Sequence, residues 1–370
     1  MRIATMLVLS LAPTLAAAAA TMSAPASAQV CGHCHRAIQQ AWETSAHADA
    51  MHSRVFQDAL EEVKDDFGPT ARRVCLGCHA PLAVLMKDVE LVRATSWEGV
   101  TCDYCHSIRS VRETGGTFEV SVQLSNLKSG PSRDSVSPAH QTAYSDVHTK
   151  ALACAGCHEY KNALGFPVVT TYSEWREGPS GRAGVACQRC HMDLVKGNVV
   201  DPRVLREASH QVNLHEMPGS HSISQLDKAV IAKLAADRSG DTVKVRVTLT
   251  NAGVGHFVPT GSPMRQIILD VKATPAGGDP QIQHRVLTRT LADATGAAIK
   301  KEYVAFLKAA KVLSDTRLAP GETRTESFTF QVPSGTPTHV EASLTYFHPA
   351  TSDPEETKRI KFLSMTRELR

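Results

Sequence analysis

The chain has 370 residues with a formal net charge of +3, and 42% of its residues are hydrophobic. This net positive charge is too small to indicate binding to nucleic acid, so we expect no nucleic-acid partner. The informative residue types are its ten cysteines and 17 histidines.

The first 28 residues have the pattern of a secretory signal peptide. Arg2 provides a positive start, residues 3–20 are apolar with a break at Pro13, and Ala26-Ser27-Ala28 has the form of an A-x-A cleavage site. An uncleaved membrane anchor is the alternative, because the apolar stretch approaches the length that spans a bilayer. The alanine content and Pro13 favour the signal peptide. We therefore predict a cleaved signal peptide over residues 1–28, a periplasmic or otherwise exported location and no membrane span in the mature chain.

Every cysteine belongs to one of five copies of the motif Cys-x-x-Cys-His. The cysteine pairs are Cys31 and Cys34, Cys75 and Cys78, Cys102 and Cys105, Cys154 and Cys157, and Cys187 and Cys190. The histidines that complete the motifs are His35, His79, His106, His158 and His191. A c-type haem needs two thiols for thioether bonds to its vinyl groups and an adjacent imidazole for its iron.

The repeated motif therefore predicts five covalently bound haem c groups. Paired Cys-x-x-Cys segments can also bind zinc, but a zinc site does not require a histidine directly after the second cysteine. The histidine is present in all five copies, which favours haem. No cysteine is left for a disulfide.

Residues 29–222 are predicted to form a pentahaem domain. Five haems within residues 31–191 leave too little chain for an ordinary apolar core. We therefore expect a mainly helical and irregular polypeptide wrapped around the haems. Apolar residues at helical spacing predict one long helix from Ile38 to about Lys64, and alternation over Thr117–Leu124 predicts a hairpin.

Two stretches of this domain share a pattern. The second and fourth motifs are each followed by a tryptophan, Trp97 or Trp175, and then by Gly-Val shortly before the next motif. This repeat predicts a duplicated two-haem module with the first haem added in front. A chance match between short motifs is the alternative.

Residues 223–370 have no cysteine and are dominated by alternating apolar and polar residues. The clearest case is Thr242–Thr250, where four aliphatic side chains fall on one face of a half-buried strand. Further strands are predicted at Gln266–Ala273, His284–Leu291, Glu322–Val332 and His339–Phe347. The chain is therefore predicted to be α+β, with the multihaem domain followed by an antiparallel immunoglobulin-like β-sandwich.

Several segments resemble a known family. Cys31 to His35 followed by Trp42, Ser45 and His47-Ala48 resembles the opening of the multihaem family typified by the tetrahaem cytochrome that accepts electrons from hydroxylamine oxidoreductase. The segment from Gly184 to Met192 and the later His215 and Pro218–His221 are similar to that family as well.

The resemblance extends into the second domain, where Asn251–His256 and Pro259–Gly261 look like the β-domain appended in related bacterial multihaem cytochromes. It implies electron transfer through closely stacked, mostly bis-histidine haems. This chain has five haem motifs where the tetrahaem cytochrome has four haems. The pairing of haem ligands in that family therefore cannot be transferred to this chain. The Cys-x-x-Cys-Lys motif of the pentahaem nitrite reductases is absent, which argues against that enzyme.

The histidines outside the motifs are candidates for the opposite face of each iron. The positions that suit a returning loop or helix are His47, His52, His140, His148, His215 and His221. His47 and His52 would lie about 140° apart on the predicted helix and could serve only different haems. His256 lies in a glycine-rich turn, where it could either ligate a haem or bond its own loop. His33, His284, His339 and His348 are expected not to ligate, and Met217 is a minority alternative.

The expected function is electron transfer by an exported pentahaem cytochrome whose partners are other redox proteins. No catalytic residue is predicted, because no nucleophile–base pair or flavin site stands out. The alternative is a multihaem oxidoreductase that acts on a small nitrogen or sulfur compound at one five-coordinate haem. An oligomer joined through the β-domain is a further possibility.

Overall fold

The computed structural model describes residues 23–349 and 358–370. The predicted signal peptide thus lies mainly outside the described residues, apart from its last six. Within them, Ala28 is buried and its N–H donates to Glu98 Oε2 at 2.9 Å. No helix among the described residues is long and apolar enough to cross a membrane.

The motif region consists of short helices. They are α1 (Ala28–Gly32), α2 (Arg36–Glu43), α3 (Arg54–Phe67), α4 (Arg72–His79), α5 (Pro81–Leu85), α6 (Cys102–His106), α7 (Leu152–His158), α8 (Thr171–Glu177), α9 (Pro179–Arg182) and α10 (Gln188–His191). Short strands connect them: β1 (Ile108–Thr114), β2 (Thr117–Val122), β3 (Leu127–Gly130), β4 (Gln141–Tyr144), β5 (Tyr160–Lys161), β6 (Pro167–Val169), β7 (Leu194–Gly197) and β8 (His210–Asn213).

The prediction of one helix from Ile38 to Lys64 is wrong. The segment forms α2 and α3 with a 3₁₀ turn at Ala48–Met51 between them. The chain turns at Ser45, whose hydroxyl accepts a hydrogen bond from the Ala48 N–H at 3.2 Å, and serine competes in this way with helical hydrogen bonds. The angle expected between His47 and His52 on one helix therefore does not apply.

A hairpin does form between the third and fourth motifs, but the predicted span Thr117–Leu124 contains only its second strand. Strands β1 and β2 pair antiparallel with Thr114 opposite Thr117, which leaves a two-residue turn at Gly115 and Gly116. Both glycines have positive φ, as a type I′ turn requires.

The C-terminal region consists of α11 (Ile223–Ala229), α12 (Glu302–Lys308) and nine strands in the described residues. The strands are β9 (Ile231–Ser239), β10 (Thr242–Thr250), β11 (Gln266–Pro275), β12 (Gln281–Leu287), β13 (Arg289–Ala292), β14 (Lys311–Asp315), β15 (Thr323–Gln331), β16 (Thr338–His348) and β17 (Lys358–Leu369). The strand predicted at Thr242–Thr250 has those bounds, whereas the one predicted at His284–Leu291 is divided between β12 and β13.

Two antiparallel sheets enclose the main core of this region. Their strand orders are β15-β10-β9 and β12-β11-β16-β17. The inward side chains of both sheets, such as Val245, Leu269 and Phe328, belong to one hydrophobic cluster. The alternating burial of β10 and β11 fits sheets with one face in the core and one in solvent.

The two regions pack against each other. Tyr303 of α12 is buried in a cluster with Leu60 of α3 and Leu76 of α4. Arg289 of β13 donates to the carbonyl oxygens of Pro167 and Val168 at 2.6 and 3.3 Å. Residues of the C-terminal region are therefore part of the surroundings of the motifs.

Candidate haem centres

The helical turn explains why the motif suits a haem. Four motif histidines end helices, namely α4, α6, α7 and α10, and His35 precedes α2. Residues three apart in a helix lie on the same side, so both thiols of a motif can face one porphyrin edge. When bound there, haem c supplies one-electron exchange at its iron.

Backbone carbonyls fix the tautomer of most motif histidines. The Nδ1 atoms of His35, His79, His106 and His191 lie 2.7–2.9 Å from the carbonyl oxygens of Val199, Ala50, Ser129 and Pro218. Because a carbonyl only accepts, each Nδ1 carries the proton and each Nε2 keeps its lone pair for a metal. Histidines that bind a metal through one ring nitrogen regularly donate a hydrogen bond from the other ring nitrogen to an acceptor such as a backbone carbonyl.

Four of the five motif histidines have a second histidine ring at the distance expected for two imidazoles on one metal ion. With nitrogen–metal bonds of about 2 Å, two imidazoles on one iron have ring centroids about 6.3 Å apart. The observed centroid distances are 6.2 Å for His35 and His140, 6.2 Å for His158 and His47, 6.3 Å for His106 and His215, and 6.3 Å for His191 and His256. The residues present therefore fit haem c at these four motifs.

His47 is held by the segment that precedes the third motif. Its carbonyl oxygen accepts a hydrogen bond from the Val100 N–H at 3.0 Å, and the Trp42 indole donates to the Val100 carbonyl at 2.8 Å. Gly99 has φ +70°, and a Cβ there would lie 2.2 Å from the His47 carbonyl oxygen. The His47 Nδ1 donates to the sulfur of Met217 at 2.9 Å, so this methionine acts as an acceptor.

Two histidines lie beside His106 of the third motif. His215 has its Nδ1 2.9 Å from the Asn213 carbonyl, which leaves Nε2 free. His148 is nearer and almost parallel to His106, at 5.6 Å and 13°, but its Nε2 donates to the Cys105 carbonyl of the same motif at 2.9 Å. Its Nδ1 is buried and has no hydrogen-bond partner. His215 thus has the same ring distance and the same free Nε2 as the other paired histidines, whereas the Nε2 of His148 is engaged.

His256 comes from the C-terminal region, and its ring is within 15° of parallel to that of His191. Its Nδ1 lies 2.9 Å from the Phe257 carbonyl. The fully buried Asn251 holds the loop from inside, because its amide donates to the His256 carbonyl at 2.9 Å. The sequence left two alternatives for His256, a haem ligand or a histidine that bonds its own loop. The geometry is compatible with both, because the Nδ1 bonds the loop while the Nε2 is free.

A buried glutamate of the motif region fixes the His256 loop. Glu174 of α8 accepts hydrogen bonds from the Phe257 N–H at 3.2 Å and the Thr260 hydroxyl at 2.6 Å. It also forms an ion pair of 2.6 Å with Arg317, and both side chains are less than 10% exposed. Arg317 also pairs with Asp315 at 2.8 Å, so Glu174 connects α8 to two segments of the C-terminal region.

The second motif differs from the other four. All 17 histidines lie within the described residues, and none forms a ring pair of this kind with His79. The ring that contacts His79 is Phe56, stacked at 3.8 Å and 3°. Burial lowers the pKa of His79; the hydrogen bond with the Ala50 carbonyl and the nearby Glu302 carboxylate oppose this shift, and Arg265 adds to it.

Burial keeps the key imidazoles neutral. It lowers the pKa of His47 and of His106 to about 4, and that of His158 to about 3, with smaller contributions from neighbouring histidines. A neutral imidazole is the form that a metal requires.

Cysteines of different motifs touch one another. Cys31 lies beside Cys102, Cys78 beside Cys157, and Cys154 beside Cys187. The first and third motifs, the second and fourth, and the fourth and fifth are therefore direct neighbours.

Four further histidines have other surroundings. His52 is exposed at the end of the 3₁₀ turn, and His221 lies 3.4 Å from the Tyr346 hydroxyl. His339 pairs with Glu368, and His348 pairs with Glu302 at 2.9 Å. The structure gives no opposing motif histidine for either His52 or His221.

Several residues of these centres were missed by sequence reasoning, among them Glu174, Arg317 and Phe56. An isolated charged residue or phenylalanine has no sequence signal of its own. The glutamate and arginine are separated by 143 positions in the chain and meet only in the tertiary structure.

Comparison with known proteins bears on the family and the fold. Residues 30–107 match the family model described as cytochrome c554 and c-prime. The fold is similar to that of a penta-heme cytochrome c552 from Thermochromatium tepidum, with a TM-score of 0.74 and 22% identity over 93% of this chain and 99% of that chain.

A putative ApaA protein from Bordetella pertussis covers 37% of this chain and 87% of its own, at 13% identity, but its TM-score of 0.18 carries no argument. No curated protein matches the sequence.

The five motifs, the family match at the N-terminal side and the shared fold support one class, a multihaem c-type cytochrome with covalently bound haem c. The family match covers the first three motifs only.

Proposed function

We propose that the chain is an exported pentahaem cytochrome that transfers electrons between redox proteins. The observation that carries this proposal is the opposition of imidazole pairs at 6.2–6.3 Å for four motifs. Two imidazoles favour a lower reduction potential than a Met/His pair. The residues at these four centres would hold and orient the iron from both sides and would leave no open position for a substrate.

The contacts between motif cysteines support close haem packing. They connect the second, fourth and fifth motifs in one series and the first and third in another. We assign residues 1–28 to the signal peptide, 29–222 to the pentahaem domain and 223–370 to an immunoglobulin-like β-domain that supplies His256.

Haem stoichiometry tests this proposal. Intact mass of the mature protein, combined with haem quantification after denaturation, is expected to give five covalent haems and a first residue near position 29. Three or fewer haems, or stoichiometric zinc, would contradict it.

A second candidate function is reduction or oxidation of a small compound at the second motif. The observation that favours it is that His79 has no opposing imidazole, while polar side chains of the β-domain lie nearby. A resting electron-paramagnetic-resonance spectrum is then expected to show one high-spin haem in five. Five low-spin haems would exclude this candidate and leave the electron carrier.

A further inference from the structure

The loop that carries His256 is fixed by a second segment of the β-domain. Val258 and Leu318 exchange backbone hydrogen bonds of 3.0 and 2.9 Å, so the two segments run side by side. The Asn251 amide also links them, because it donates to the His256 carbonyl at 2.9 Å and to the Leu318 carbonyl at 3.2 Å. Arg317, which precedes Leu318, therefore has a fixed position relative to His256.

Arg317 lies against this loop with its charge buried. Its Cζ is 4.7 Å from the centroid of the Phe257 ring, and its side chain is 9% exposed. The guanidinium pairs with Glu174 at 2.6 Å and with Asp315 at 2.8 Å. The Glu174 carboxylate in turn accepts a hydrogen bond from the Phe257 N–H at 3.2 Å. One positive and one negative charge thus contact the residue that directly follows His256.

Two further charges complete the cluster. Asp315 is the second partner of Arg317, and Arg289 reaches Glu174 through the Thr170 hydroxyl, which is 3.3 Å from the guanidinium and 2.6 Å from the carboxylate. The cluster therefore holds two carboxylates and two guanidinium groups, and their charges cancel. Removing one charge would leave an imbalance that water and salt screen poorly, because Glu174 and Arg317 are less than 10% exposed.

We propose that Glu174 and Arg317 set the reduction potential of the fifth haem through their opposite charges, in addition to holding the His256 loop. This inference rests on the proposed function, in which His256 is a ligand of that haem. Reduction adds one electron from a redox partner and so lowers the charge at the haem by one. A nearby negative charge opposes the added electron, and a nearby positive charge favours it. Burial and the groups around the ligands are among the properties by which a protein tunes a haem potential.

The test measures the haem potentials of the haem-loaded full chain by redox titration followed by electron paramagnetic resonance. The fifth haem is identified as the one whose signal changes in His256→Ala. Glu174→Gln should raise the potential of this haem, and Arg317→Gln should lower it. The controls are Asp237→Asn and Arg246→Gln, which remove one charge each from an exposed ion pair of the same domain and should shift no haem.

The opposite directions separate a role of the charges from a role in folding alone. If the pair only clamps the loop, both variants lose the same contact. They should then shift the potential in the same direction or leave it unchanged, and either result refutes the proposal. Arg317→Lys is a further check, because it keeps the charge but loses the planar fork. Its potential should stay close to that of the wild type, and a clear shift would also count against the proposal.

The His256→Ala variant separates this inference from the proposed function. If that variant changes no haem signal, the ligand assignment within the proposed function fails, and this inference fails with it. If it changes one signal while the two charge variants shift no potential, the ligand assignment stands and only the role of the charges is refuted.

Discussion

The motif region and the β-domain are stabilised in different ways. Among the described residues, the largest cluster of the β-domain joins 23 buried hydrophobic residues, whereas the clusters that hold the motifs have at most eight. The β-domain can bury its alternating strands against each other, but the motif helices are too short to be stable alone. The difference implies that covalent haem groups complete the core of the first region only.

The largest expected effect follows directly from this contrast. If the full chain is produced without haem attachment, residues 29–222 should remain unfolded while residues 223–370 fold. Limited proteolysis should then leave a β-rich fragment from the C-terminal region, and this fragment should unfold cooperatively in circular dichroism. The haem-loaded protein, which should resist the protease throughout, is the control. Loss of both regions together would show that the β-domain depends on the haems.

A second prediction concerns the contact between the two regions. Glu174→Ala removes the acceptor of the Phe257 N–H and the Thr260 hydroxyl and one of the two carboxylates that pair with Arg317, which keeps Asp315. It should lower the free energy of unfolding by about 1–3 kcal/mol. Urea unfolding of the haem-loaded protein measures this loss. Glu177→Ala, on the exposed side of the same helix, should change stability little. Similar values for the two variants would mean that the ion pair does not join the regions.

A third prediction sharpens the role of the β-domain. His256→Ala should convert one haem in five to a high-spin form, because the fifth motif loses its opposing imidazole. Electron paramagnetic resonance measures the fraction, and His284→Ala in β12 is the control on the same domain. If the spectrum of His256→Ala matches that of the control, the β-domain supplies no ligand.

The smallest effect is expected for His148, within the motif region. His215→Ala should produce a high-spin signal at the third haem, whereas His148→Ala should leave the spectrum nearly unchanged, because the His148 Nε2 is engaged by the Cys105 carbonyl. The reverse outcome would assign His148 as the ligand.

Local patterns were sufficient for much of the description. Haem attachment is encoded within five consecutive residues, and alternation at Thr242–Thr250 reflects a period of two that any half-buried strand must have. These features could be predicted because the interacting residues are neighbours in the chain. The break between α2 and α3 was not predicted, because apolar residues recur at helical spacing on both sides of Ser45. This spacing does not reveal that the Ser45 hydroxyl accepts a hydrogen bond from the Ala48 N–H.

The pairing of histidines was decided by tertiary structure alone. His47 faces His158 across 111 positions, and His256 reaches His191 from another domain. Position in the chain suggested which histidines were available, but it did not specify which ring opposes which. That choice depends on turns such as Gly99, on carbonyls that orient each Nδ1, and on Glu174, which holds the β-domain loop against the fifth motif. Such contacts join residues far apart in sequence, so only the folded chain defines them.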